Sequence, residues 1–421
     1  MRFEPAAVIE VAPQDCRTYA EGWQSWSPTR VWAFGETVPV PTAANTLALG
    51  YRADRPPGPA PQGEGLLAVQ HGEVTDVFYG SDLPSIRAIP AGGRVRIEAD
   101  GPVERTVLPG RLPDVLGRWA GQRLPVAGLR PAPTVWCSWY QYFTDVTQAD
   151  IEENLQAMTD LDVPVDVVQI DDGYQREIGD WLTLSDRFSS LPDIAARIAS
   201  HGRRAGIWVA PFLVGERAEV ARRHPEWLLP GGWAGRNWGQ DLRALDVRQD
   251  GAADYLLEVF AQLRAIGFDY FKIDFCYAGA LAGLDAYREG LRIIRRAIGA
   301  AYLVGCGAPT LASVGLVDAM RIGPDTAAHV EPTDGDPSQP GQRGAIANGV
   351  ARAWQHGRFW VNDPDCLLVR PGIQQREVWA GHVQRFGGVR ASSDRLRDLD
   401  GWGLETTRRL LGDPPAAVPF G

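Results

Sequence analysis

Lysine is almost missing from this chain. Of 42 basic side chains in 421 residues, only Lys272 is a lysine, although lysine is ordinarily among the commonest residues of soluble proteins. Genome-wide composition accounts for the bias toward arginine. The lysine that survives it marks a position where a planar guanidinium does not replace a compact ammonium. It lies in Phe271-Lys272-Ile273-Asp274-Phe275, two residues before an aspartate on an apolar, β-branched run. Residues i and i+2 of a strand face the same side, so ammonium and carboxylate are expected in one pocket. A buried structural ion pair is the alternative.

Other shortages narrow the function. The five cysteines (Cys16, Cys137, Cys276, Cys306 and Cys366) are scattered. They show no CxxC or Cys/His spacing, so no metal site and a reduced, cytoplasmic setting are expected. No run of 18 apolar residues occurs, which argues against a transmembrane helix and a membrane partner. The start, Met1-Arg2-Phe3-Glu4-Pro5, has no apolar run before its first acidic residue, so no signal peptide is expected. A formal charge of −10 disfavours nucleic acid as a partner. No GxGxxG follows the first strand of the α/β region, and no cofactor is expected. Serine-triad chemistry is disfavoured because there is no GxSxG. The six histidines, His71, His201, His224, His329, His356 and His382, are dispersed and read as structural or exposed.

What is present is globular: 45% hydrophobic and 22% charged residues, in a chain long enough for a large barrel and a smaller partner. Residues 1–128 carry Pro, Gly and short β-branched runs such as Leu66-Leu67-Ala68-Val69 and Val74-Thr75-Asp76-Val77-Phe78. These suggest an N-terminal β-rich, sandwich-like domain of antiparallel strands. Leu129-Arg130-Pro131-Ala132-Pro133 reads as a linker. From Thr134 apolar strands alternate with amphipathic helices, the mark of a parallel α/β sheet. Candidate strands fall at Val135–Trp139, Val167–Ile170, Gly206–Val209, Tyr270–Ile273, Tyr302–Gly305, Ala319–Ile322, Phe359–Val361 and Gly387–Val389. Helical stretches such as Ile151–Thr159, Ala252–Ile266, Leu284–Ile298 and Ala345–Gln355 separate them. Residues 129–421 therefore suit a (β/α)8 TIM barrel in the α/β class, with a doubly wound sheet as competitor. The segment from Gly215 to Asp246 is expected to lie over the barrel mouth.

Barrel enzymes take their reactive side chains from the C-terminal ends of strands. Those ends carry Trp139 and Tyr140, Asp171 and Asp172, Trp208, Lys272 and Asp274, Cys306, Arg321 and Asp325, and Asn362-Asp363-Pro364-Asp365. Asp145 and Asp186 fit helix capping better. Fifteen tryptophans offer flat faces suited to sugar C–H surfaces, although most tryptophans are core. Carboxylates around an aromatic cup without metal ligands point to glycoside hydrolysis, which needs two carboxyl groups flanking one sugar carbon. Asp274, beside an ammonium, has the features of a nucleophile. Asp325 follows Gly323-Pro324, which ends the sixth strand and directs its side chain into the mouth.

These residues fall into runs that resemble a known family. Trp136-Cys137-Ser138-Trp139-Tyr140, Gln169-Ile170-Asp171-Asp172-Gly173-Tyr174, Gly206-Ile207-Trp208, Phe271-Lys272-Ile273-Asp274, Gly305-Cys306-Gly307 and Arg321-Ile322-Gly323-Pro324-Asp325 are similar to the melibiase-type α-galactosidases, glycoside hydrolase family thirty-six. Asn362-Asp363-Pro364-Asp365 and Gly22-Trp23-Gln24-Ser25-Trp26 resemble it too. The resemblance implies a retaining α-galactosidase acting on small oligosaccharides, with Asp274 as nucleophile and Asp325 as acid/base. It implies that Asp171, Asp172 and Lys272 bind galactose hydroxyls, with Cys306 and Arg321 nearby. Trp139, Tyr140 and Trp208 would wall the pocket, and Trp26 would reach in from the first domain. It also implies a further C-terminal β-domain, which the residues up to Gly421 do not supply. The acidic, Pro-rich loop from His329 to Gln339 is a candidate for shaping aglycone specificity. Alternatives are an α-N-acetylgalactosaminidase, a raffinose-synthase-like transglycosylase and a catalytically silent sugar-binding protein.

Overall fold

The computed structural model describes residues 2–33, 36, 40–52 and 54–420. The N-terminal part contributes β1 (Glu4–Ile9), β2 (Cys16–Ala20), β3 (Arg30–Ala33), β4 (Gln62–Glu64), β5 (Leu66–His71), β6 (Val74–Tyr79), β7 (Ser85–Ala91), β8 (Arg94–Ala99) and β9 (Glu104–Pro109). They pair into two antiparallel sheets, ordered β1-β8-β7-β4 and β3-β2-β5-β6-β9. Alternation along β5 and β6 explains how one sheet serves two cores, since successive strand residues face opposite sides. Leu67, Val69 and Phe78 meet Ile86, Val95 and Ile97 of the other sheet. Leu66, Ala68 and Val77 instead join the larger core that contains Trp119, from helix Leu112–Arg123, and the barrel residues. Residues 125–133 have no regular secondary structure, in keeping with the proline-rich linker.

The second part begins with β10 (Thr134–Cys137), β11 (Val167–Ile170) and β12 (Arg204–Val209). An excursion follows: β13 (Leu213–Gly215), β14 (Leu228–Asn237) and β15 (Gln240–Leu245) form a separate antiparallel sheet. The chain then returns through β16 (Phe268–Ile273), β17 (Tyr302–Gly305), β18 (Ala319–Arg321), β19 (Val361–Asp363) and β20 (Arg390–Ser392). Among the described residues the parallel sheet has eight strands, ordered β19-β18-β17-β16-β12-β11-β10-β20. Gly388 and Val389 each donate a backbone N–H to the Asn362 carbonyl at 2.9 Å and close the gap between β19 and β20. This is the expected (β/α)8 barrel with an N-terminal β-rich part.

The first six strands coincide with their apolar runs to within one or two residues at most ends. The last two lie two to three residues later than Phe359–Val361 and Gly387–Val389. Asn362, Asp363, Arg390 and Ser392 are polar yet buried in strands, so apolarity alone misses their register. Helix Leu284–Ile298 has the expected bounds. The expected Ala345–Gln355 helix runs over Gln342–Ala351 and then tightens to a 3₁₀ turn at Ala353–Gln355. The capping roles given to Asp145 and Asp186 are corrected. Thr147 forms a capping box with Asp150 at helix Gln148–Asp160, and Ser190 caps Leu191–Ser200. Both caps sit immediately before the helix, where a short side chain reaches the orphan N–H groups.

Candidate active site

A cup of about 190 Å³ opens at the C-terminal ends of the barrel strands, lined by acidic and aromatic side chains. It is smaller than the ~300–1,000 Å³ of a pocket for a drug-sized ligand. Trp26, Trp139, Asp171, Asp172, Trp208, Lys272, Asp274 and Asp325 all reach its wall. Residues far apart in the chain, from Trp26 to Pro340, converge here, because the strands of a barrel deliver their ends to the same rim.

One side of the cup is built on Asp171 and Lys272. The Lys272 ammonium donates to Asp171 Oδ2 at 3.0 Å, and Gln169 Nε2 donates to the same oxygen at 2.6 Å. The Cys137 thiol donates to it from 3.3 Å. Burial is the largest single influence and opposes the charge on Lys272, but Asp171 together with Cys137 and Cys306 outweighs it and the pKa is pushed well up, so the ammonium persists. The strand reading that put Lys272 in one pocket with an acid therefore stands: both Lys272 and Asp274 line the cup. Yet the hydrogen-bonded partner of the ammonium is Asp171, across two strands. Asp172 accepts from Gln175 Nε2 at 2.6 Å and from the Trp238 indole at 2.8 Å. Loss of bulk water pushes its pKa up to about 6, against those two hydrogen bonds and with help from the charges of Asp171 and Asp274.

Asp274 follows the last residue of β16. It accepts the Trp208 indole N–H on Oδ2 at 3.0 Å and the Phe275 backbone N–H on Oδ1 at 2.8 Å. Phe275 itself lies in the left-handed region, with φ 50°. Trp238 (φ 51°) and Asp365 (φ 89°) are in the same region. Backbone strain of this kind collects at functional sites, where surrounding contacts hold it.

Asp325 is the fourth carboxyl at the cup and keeps 31% of its side-chain surface exposed, facing the narrow cup rather than bulk solvent. Removal from bulk water is the largest cause that pushes its pKa up to about 7. The charge of Asp365 adds to the rise, Arg321 opposes it, and Asp274 adds a little more. Arg321 is fully buried and holds three acids at once: Asp325 at 3.0 Å, Asp365 at 2.8 Å and Asp363 at 3.4 Å. Tyr140 donates its hydroxyl to Asp365, which also accepts the Thr326 N–H at 2.8 Å.

Tyr140, Cys306 and Arg321 are thus not on the cup wall but in the layer behind it. Several wall residues escaped the sequence reading: Leu49 and Gly50 from helix Ala44–Gly50, Asn237 and Trp238 from the excursion, Phe275, and Ser338-Gln339-Pro340. Trp238 sits in the tight turn Asn237-Trp238-Gly239 between β14 and β15. That Asn-x-Gly signal between strands could have marked a hairpin tip over the mouth. Ser338 and Gln339 bring the His329–Gln339 loop to the cup.

A barrel whose mouth holds four carboxyl groups, an ammonium and an aromatic wall defines a candidate glycoside hydrolase, whose chemistry needs two of them to flank one sugar carbon. Comparison with known proteins bears out the particular resemblance read from the sequence. The melibiase family model matches residues 128–284. The Geobacillus stearothermophilus α-galactosidase AgaA is 26% identical over 144 residues, covering 32% of this chain and 20% of that one. An Escherichia coli α-galactosidase is 28% identical over 102 residues, 22% of this chain and 14% of its own. The chain thus matches only about a fifth or less of these two relatives' length. Likeness to the Thermus thermophilus α-galactosidase TtGalA extends further. Its complex with stachyose superposes with a TM-score of 0.86 at 29% identity, over 96% of this chain and 91% of that one. Its complex with p-nitrophenyl α-D-galactopyranoside gives 0.85 at 28%, over 98% and 92%.

Proposed function

We propose that this chain is a retaining α-galactosidase that hydrolyses terminal α-D-galactosyl residues of small oligosaccharides by double displacement. The observation that carries the reading is the contrast between Asp274 and Asp325, two of the four carboxyls of one cup. Asp325, with a pKa of about 7, holds a proton near neutrality and can give it to a departing glycosidic oxygen. Asp274 accepts two hydrogen bonds from fixed donors, which suits a carboxylate aimed at the anomeric carbon. Two carboxyl groups driven to opposite tasks by their surroundings are the arrangement this chemistry needs.

The steps follow from those roles. Asp274 attacks the anomeric carbon as Asp325 protonates the leaving oxygen, giving a covalent galactosyl-enzyme and the free aglycone. Asp325, now ionised, takes a proton from water, which attacks the same carbon, releases galactose and frees Asp274. Asp171, Asp172 and Lys272 hold the sugar hydroxyls by charge-assisted bonds, and Trp26, Trp139, Trp208 and Trp238 wall the ring. Arg321, Tyr140 and Cys306 act from behind the wall, Arg321 and Tyr140 through Asp325 and Asp365. The ligands of the Thermus enzyme, an α-galactoside and stachyose, support galactose over other sugars. Five buried cysteines without a disulfide among the described residues support a cytoplasmic setting, and the domains divide at residues 128/129.

The test is a panel of p-nitrophenyl α- and β-glycosides. Release of nitrophenol from the α-galactoside above all others is expected. Preference for another sugar, or none, would contradict the reading.

A further inference from the structure

Trp26 belongs to the β-rich part, whereas Asp325 follows β18 of the barrel, and nothing in either local sequence fixes their relative position. One buried side chain bonds to the segments that lead to both. Arg352 follows helix Gln342–Ala351, is fully buried, and is paired with the equally buried Glu21 through Nε at 2.7 Å. Its Nη2 donates to the Gln24 carbonyl at 3.1 Å, and its Nη1 to the carbonyls of Ser25 and Ile322, both at 2.9 Å. Gln24 and Ser25 immediately precede Trp26; Ile322 opens Ile322-Gly323-Pro324-Asp325.

Buried carbonyls need donors, and only a guanidinium offers five in a rigid plane. Neighbours reinforce the same junction. Gln355 Nε2 donates to Glu21 at 2.7 Å, and Asn348 Nδ2 donates to the Ser27 carbonyl at 2.9 Å. Asn362 Nδ2, from β19, donates to the carbonyl of Arg352 itself at 3.0 Å. The anchor is therefore tied to the barrel from behind and to the Trp26 loop in front.

We infer that Arg352 is a positioning residue for the cup: one guanidinium sets the Trp26 wall of the first domain and the Asp325 strand end against each other. A buried ion pair is weak grounds for stability in itself, because hydrophobic replacements are often neutral. A pair that spans two parts and also binds backbone on both sides of a site has a geometric task. The inference rests on the α-galactosidase reading for its kinetic consequences, but not for its structural ones.

The experiment is Arg352→Lys in the full chain. The charge remains, but the planar fork that reaches three carbonyls is lost. Backbone hydrogen exchange is expected to rise in two segments, residues 22–29 and 320–327, well below the melting temperature. With p-nitrophenyl α-D-galactopyranoside, KM should rise through the loosened Trp26 wall and kcat should fall through the displaced acid, together roughly tenfold or more in kcat/KM. If Arg352→Lys does not fold, the double replacement Glu21→Gln with Arg352→Met removes both charges and is read in the same way. A lower melting temperature with unchanged exchange in 320–327 and unchanged KM and kcat would overturn the inference. Failure of the α-galactosidase reading is separable: the wild-type chain would then lack the activity, while the paired rise in exchange would still test the anchor.

Discussion

At the residue scale two ionisable side chains, Asp325 and Lys272, decide the chemistry. Asp325, with a pKa near 7, is protonated below that value, so kcat/KM should fall on the alkaline side with a limb near pH 7. Asp325→Ala should lose about two to four orders of magnitude on raffinose, yet keep much of its glycosylation rate on a dinitrophenyl galactoside, whose leaving group needs no proton. Equal loss on both would reassign the residue. The same carboxyl makes a stability prediction. Its folded pKa lies above the unfolded value of about 4, so its favourable contribution is complete below about pH 4 and is lost as pH rises through about 7. Asp325→Asn should therefore melt higher than wild type at pH 8, with the gap closing toward pH 4. Thermal melts at the two pH values check the sign. Lys272 is the second. Lys272→Arg keeps the charge, but a planar fork in a site that holds the ammonium 3.0 Å from Asp171 displaces the groups around it. A folded protein with at least roughly a hundredfold lower kcat/KM is expected; full activity would make the lysine an accident of composition.

At the scale of elements, what was legible depended on how each element hides its backbone. Parallel strands buried on both faces read as apolar runs, so β10, β11, β12, β16, β17 and β18 were visible as Val135, Val167, Ile207 and their neighbours. The closing strands β19 and β20 carry the buried polar residues Asn362, Asp363, Arg390 and Ser392, which break the apolar run, and their register slipped. Site residues at strand ends were legible for the same reason. The place of the 215–246 excursion over the mouth was legible too; Trp238 itself was not, because which side chain of a hairpin turns into the cup is set by tertiary contacts. That hairpin carries its own prediction. Trp238→Phe keeps a ring at the wall but removes the N–H that lowers the pKa of Asp172. The pKa of Asp172 should then rise above about 6. On the reading that ionised Asp172 binds the sugar, the acidic limb of kcat/KM should move to higher pH. An unmoved limb would remove Asp172 from the profile.

At the scale of the molecule, the cup is complete only where two parts meet. Leu49, Gly50 and Trp26 come from the first, and Asp171, Lys272, Asp274 and Asp325 from the barrel. Leu66, Ala68 and Val77 of the first part also share one continuous core with the barrel. Interfaces of that kind suppress independent motion, so calorimetry should record one unfolding transition; two resolved transitions would contradict a shared core. The central claim is the chemistry that this assembled cup performs, and one measurement reaches it directly. Proton NMR follows the sugar first released from p-nitrophenyl α-D-galactopyranoside, before mutarotation. The account predicts α-galactose, formed by two displacements through Asp274; β-galactose appearing first would contradict it.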